Sequence, residues 1–183
     1  MTNHIFDFIG GERGQWKVVE MKTVIGEAIE EISHLKIIES SLQTTNSGVW
    51  TLKGLKSNIR YAEKQEKEKL VAIQANLGRT TATHATLIPM RKSEAWWAMA
   101  QDERRKIFEN QSKHTEIGLH YLPAIARQLY HSRDIGEPFD FLTWFEYAPE
   151  DRDAFHELVA QLRKTEEWNY YVDREVEINL VRV

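Results

Sequence analysis

The 183 residues include no cysteine. Disulfides, zinc–thiolate centres, thiol catalysis and iron–sulfur clusters are therefore excluded. A haem attached through C-x-x-C-H is excluded as well. Positive charge is short too: 24 Lys and Arg stand against 28 Asp and Glu, giving a formal net charge of −4 and a pI of about 6.0. A phosphate-binding surface is normally basic, so nucleic acid is not an expected partner. No apolar run is long enough to cross a bilayer, so no membrane span is expected. The start, MTNHIFDFIGGERG, has no basic stretch followed by an apolar core, which argues against a secretory signal and makes the cytoplasm the expected location. G-x-S-x-G, H-E-x-x-H, a P-loop and G-x-G-x-x-G are all missing. Gly10, Gly11 and Gly14 read as a hairpin turn, not as a phosphate cradle.

What is present is an ordinary globular composition, 42% hydrophobic and 28% charged, suited to one domain. Six Trp exceed what a core of this size needs. Strands are predicted over 5–10 and 15–24, joined by the hairpin turn. A helix is predicted over 26–35, from Ala28, Ile29, Ile32 and Leu35. The small polar run 40–48 reads as a loop and as the internal boundary. A strand follows over 49–61, then a helix over 62–77 whose run EKQEKEK is a solvated face. Residues 84–92 form a strand in which Pro89 suggests an edge or a bulge. Asp102 caps a helix reaching about Glu116, with Ile107, Gln111 and His114 on one face. In 121–131, Ile125, Arg127, Leu129 and His131 share a face. In 139–147 the shared set is Phe139, Phe141, Thr143, Phe145 and Tyr147. A helix over 149–164 turns Phe155, Leu158, Val159 and Leu162 inward and ends at Thr165–Trp168. The last strand spans 175–181. This order predicts an α+β fold, with helices on one face of an antiparallel sheet and the other face covered by another half, another subunit or a ligand.

Two residues invite chemistry. Arg127 lies between Ile125 and Leu129 on a strand face, and a buried guanidinium needs a carboxylate or an anionic ligand. An ion pair with Asp140 or Glu146 and an anion site are both open. His114 has no companion at metal-ligand spacing, since His120 and His131 fall elsewhere. If it binds a metal, it does so as a lone axial ligand, as in haem proteins.

The run YLPAIARQLYHSRDIGEPFDFLTWFEYAPE, with LIPMRKSEAWW upstream and LRKTEEW and VDREVEINLVR downstream, resembles the chlorite dismutase family. The likeness is greatest to its short-subunit, dimeric branch, and it extends from about Arg60 to the C-terminus. The resemblance implies a ferredoxin-like, dimeric α+β barrel, with 1–48 a shortened first half and 49–183 a complete second half of one haem-binding domain. It implies one non-covalent haem b per subunit and a homodimer. His114 matches the axial iron ligand, Glu167 the acid bonded to that ligand's other nitrogen, and Lys92 a lysine of the same network. Arg127 matches the distal arginine. Tyr61 and Trp97 match residues at the haem edge and propionates, and Thr143 and Phe145 line the distal pocket. The implied reaction converts chlorite to chloride and dioxygen, through a ferryl haem and hypochlorite that recombine to form the O–O bond. The alternatives are a coproheme decarboxylase-like enzyme and a haem-binding or sensing protein with incidental chlorite activity.

Overall fold

The structure, a computed structural model, describes residues 4–57, 75–111, 113–121 and 124–183, without the side chains of residues 109–111, 114 and 115. Tyr61 and nearly all of the helix expected over 62–77 lie outside the described residues. Among the described residues there are eight strands: β1 (Ile5–Gly11), β2 (Trp16–Ile25), β3 (His34–Ser40), β4 (Trp50–Lys56), β5 (His84–Lys92), β6 (Ala126–His131), β7 (Phe141–Tyr147) and β8 (Val172–Arg182). All pairs are antiparallel, and they close a barrel in the order β1-β3-β2-β8-β5-β7-β6-β4. The helices are α1 (Glu94–Ala98), α2 (Gln101–Arg105) continuing as a π-helical segment (Lys106–Gln111), α3 (His114–Leu119), α4 (Arg152–Arg163) and α5 (Glu166–Tyr171). None of the described helices is long and apolar enough to cross a membrane. The α+β class and the antiparallel sheet stand as expected. The sheet is closed, however, and its inner face is covered by the chain's own first strands.

Strand alternation divides the apolar residues between two cores. Phe8, Leu52, Leu87, Leu142, Trp144 and Ile178 are among those filling the barrel. On the outside of β5 and β7, Ile88, Met90, Phe145 and Tyr147 meet Phe155, Leu158, Val159 and Leu162 of α4. The stripe predicted for that helix is fully buried.

Several expectations fail for definable reasons. The first two strands are not a hairpin: β3 lies between them, pairing with β1 along its length and with β2 at Trp16↔Leu35 and Lys17↔His34. Gly14 permits this wedge, since a Cβ there would sit 2.2 Å from the Leu35 carbonyl oxygen. No helix forms over 26–33. The carbonyls of Glu27, Ala28 and Glu30 instead accept from Arg174 Nε, Arg174 Nη2 and Trp50 Nε1 at 3.0, 3.1 and 2.9 Å. With their acceptors satisfied from outside, helical bonds are not required. Ile29 and Ile32 pack on the barrel core, and Leu35 belongs to a strand inside it. Pro89 sits in a central strand between β7 and β8, not at an edge. The β5–β8 ladder is interrupted there, between Leu87↔Ile178 and Met90↔Glu175. Phe139 packs inside the barrel, apart from Phe141, Thr143 and Phe145.

Candidate functional site

The helix predicted from Asp102 to Glu116 is broken. Its first turn is capped at Ala100, whose N–H donates to the Glu103 carboxylate at 2.8 Å. The following turn widens to π geometry, and Lys113 then takes a left-handed conformation at φ 51°. His114 therefore opens α3 and does not close the preceding helix. Its side chain is not among those described. Likewise Thr165–Trp168 does not end the long helix but begins α5, with Thr165 at the N-cap. That start buries Glu167 and Trp168.

Glu167 meets Lys92. The Nζ of Lys92 donates to Glu167 Oε1, and both side chains are almost fully buried. The ammonium lies 4.3 Å from the Trp96 ring centroid and 5.2 Å from that of Trp168. Burial pushes the Lys92 pKa down, while Glu167 and then Glu175 pull it back up. Trp168 Nε1 donates to Glu175 Oε2 at 3.2 Å. Arg163 holds Glu175 at 3.0 Å and Glu177 at 2.9 Å. These acids alternate with barrel-core residues along β8, so they face outward yet lie buried beneath α4.

Arg127 lies on the same outer wall. Across the ladder it faces Phe145, and Leu129 faces Thr143. On the next strand Phe145 pairs with Thr86 and Thr143 with Ile88. The expected set Arg127, Thr143 and Phe145 is thus brought onto one face. Burial depresses the guanidinium's pKa, and the Glu167 carboxylate opposes the shift. The expected ion pairs are not the arrangement found. Glu146 points into the barrel, where it accepts from Trp144 Nε1 at 3.0 Å and from the Gly78 N–H at 2.7 Å. Asp140 Oδ2 accepts from the Lys92 N–H at 2.7 Å and from Trp97 Nε1 at 2.9 Å. Trp97 is half-buried, stacked on Phe141 at 5.9 Å and beneath Arg133 at 4.2 Å.

Sequence reasoning missed Asp140 as a partner of Lys92 and Trp97. It also missed the Trp168–Glu175–Arg163 set. A signal for the latter is present: Glu175 and Glu177 alternate with apolar residues on a strand that a strongly amphipathic helix must cover.

The family model described as chlorite dismutase matches residues 16–180. A chlorite dismutase of Ideonella dechloratans is 32% identical over 129 residues, which are 67% of this chain and 41% of that protein. The chain thus spans less than half of that relative's length. A dimeric chlorite dismutase from Nitrobacter winogradskyi superposes with a TM-score of 0.90 at 56% identity, over 97% of this chain and 99% of that one. A chlorite dismutase from Candidatus Nitrospira defluvii, in complex with imidazole, gives 0.58 at 25% identity, over 80% and 56%.

Proposed function

This chain belongs to the chlorite dismutase family, and from that premise we propose that it is a haem b-dependent chlorite dismutase, an oxidoreductase releasing chloride and dioxygen. The observation carrying the proposal is the outer wall of β6 and β7. It brings a desolvated guanidinium, Arg127, beside Leu129, Thr143 and Phe145 on one face. A guanidinium on this wall suits a small anion.

The residues fit a haem. His114 is the proposed axial ligand. Glu167 would accept from that ligand's second ring nitrogen, and Lys92, which donates to Glu167, would fix that acid in place. Such a partner sets the ring's orientation and raises its basicity. Trp97 and Tyr61 would hold the porphyrin edge and propionates, and Thr143 and Phe145 would line the pocket. When bound, the haem would supply the redox centre for oxygen-atom transfer from chlorite. Arg127 holds the chlorite anion and then the hypochlorite, so that it recombines before escaping. In this reading residues 49–183 form a ferredoxin-like half, the protein is a cytoplasmic homodimer, and each subunit carries one haem.

An oxygen electrode tests the proposal. Haem-loaded protein given chlorite should evolve oxygen rapidly; full loading without oxygen would reject it. Arg127→Ala should retain haem and release more hypochlorite to a chlorination trap. Leakage equal to the parent's would remove the holding role. In His114→Ala, the five-coordinate histidine spectrum should vanish; its persistence would refute the ligand assignment.

A further inference from the structure

We infer that Asp140 is the positioning residue that fixes Lys92 and Trp97 relative to each other, and through them the proximal side of the haem site. The inference rests on the haem reading above and adds to it a residue with no assigned part in it.

Among the described residues, Lys92 keeps only one sheet neighbour, Val172 of β8. The β5–β7 ladder ends at Met90↔Phe141. The β5–β8 register slips between Arg91 and Lys92. At that slip the Lys92 N–H turns to Asp140 Oδ2, at 2.7 Å. The same oxygen receives Trp97 Nε1 at 2.9 Å. One carboxylate oxygen thus ties the end of β5 to the indole of α1. Asp140 is itself held by backbone bonds. Its N–H donates to the Met90 carbonyl at 2.8 Å, and its carbonyl accepts from the Ser132 and Arg133 N–H groups at 2.9 and 3.2 Å. The anchor is therefore fixed by barrel backbone, and of the two groups it holds, one lies at the end of β5 and the other on α1.

The consequence runs along the Lys92 side chain. With its backbone fixed, the ammonium is aimed between Trp96 and Trp168 onto Glu167. Releasing Asp140 frees Lys92 at its root. Glu167 then loses its fixed partner, and the axial ligand loses a fixed acceptor. Trp97 is loosened in the same step.

The test compares Asp140→Ala, Asp140→Asn and Trp97→Phe in the haem-loaded chain. An amide oxygen can accept both bonds, so Asp140→Asn is the rescue. Haem loss to an excess of apoglobin should be about tenfold faster in Asp140→Ala and restored in Asp140→Asn, as for partners that support a metal ligand. The ferric/ferrous midpoint potential should move positive in Asp140→Ala, because a less firmly bonded imidazole stabilises ferric iron less. A lower melting temperature with parental haem loss and potential would make Asp140 merely structural and overturn the inference. If Asp140→Ala does not fold, Trp97→Phe must by itself speed haem loss, and a parental rate there overturns it. A parent chain that takes up no haem rejects the functional reading, and this inference with it. A haem-binding parent with indifferent variants rejects the inference alone.

Discussion

Lys92 and Glu167 illustrate what burial does to a single charged residue. Their side chains are 4% and 3% exposed, so each charge depends on the other. Removing one partner takes from the other buried charge the group that most directly compensates it, at a cost of about 3–5 kcal/mol. Urea unfolding should show Lys92→Met losing that much. The double variant Lys92→Met/Glu167→Leu should recover a large part, since a well-packed apolar pair can replace a buried ion pair. A double variant as weak as the single one would contradict this account. Tyr130 offers a pH test. Its hydroxyl is pushed up to about 12, by burial first and then by Glu146. The unfolded phenol titrates near 10. The folded state therefore keeps its proton where the unfolded chain has lost it, and stability falls as pH rises from about 10 through 12. The loss amounts to about 3 kcal/mol at full ionisation. In Tyr130→Phe that part of the alkaline decline should disappear.

At the scale of elements, legibility followed the range of the interaction that decides each one. The stripe of α4 and the alternation of β6 and β7 were readable, because each element's own periodicity records the face it buries. Residues 26–33 were not. Their helical spacing is real, but Arg174 and Trp50, both remote in sequence, satisfy the backbone in another conformation. The break before His114 was hidden likewise, since a lysine gives no sign of a left-handed turn. Of the proposed site residues, Arg127 stood out by its charge on an apolar strand face and Lys92 only through the family resemblance. Asp140 could not, because its role exists only once β5, β7 and α1 converge. Two substitutions test these local devices. Lys113→Gly should raise stability by about 1 kcal/mol, because glycine adopts positive φ without the Cβ clash. Unchanged stability would show that the turn carries no strain. Gly14→Ala should cost about 1–3 kcal/mol, because its Cβ must displace the backbone of β3. A neutral effect would mean that the wedge of β3 yields easily.

For the whole molecule, the barrel's seams are unequal. Among the described residues, β3 joins β2 only at Trp16↔Leu35 and Lys17↔His34. On the far side β4 joins β6 only at Leu55↔His131 and Lys56↔Tyr130. Between these thin seams lies a panel of three strands, β3-β1-β4, paired along their full lengths. The other five strands, β2-β8-β5-β7-β6, form a second panel. Lys92, Arg127, Thr143 and Phe145 all lie on the strands of this second panel, and Trp97 and Glu167 lie on helices α1 and α5. The barrel core is shared, since Phe8 and Leu52 of the first panel pack with Leu142 and Trp144 of the second. Beside the short ladders the panels are joined by this apolar core and by isolated hydrogen bonds, such as Ser57 N–H to the Leu129 carbonyl and Ser132 Oγ to the Lys53 carbonyl, which lack the cooperativity of a long ladder. Opening should begin at the seams and release the three strands together. Hydrogen exchange under native conditions should show β1, β3 and β4 amides exchanging as one group, earlier than those of β5, β7 and β8. Haem loading should slow exchange in the second panel more than in the first. Uniform exchange across all eight strands would mean that the shared core, and not the seams, sets the unit of cooperativity.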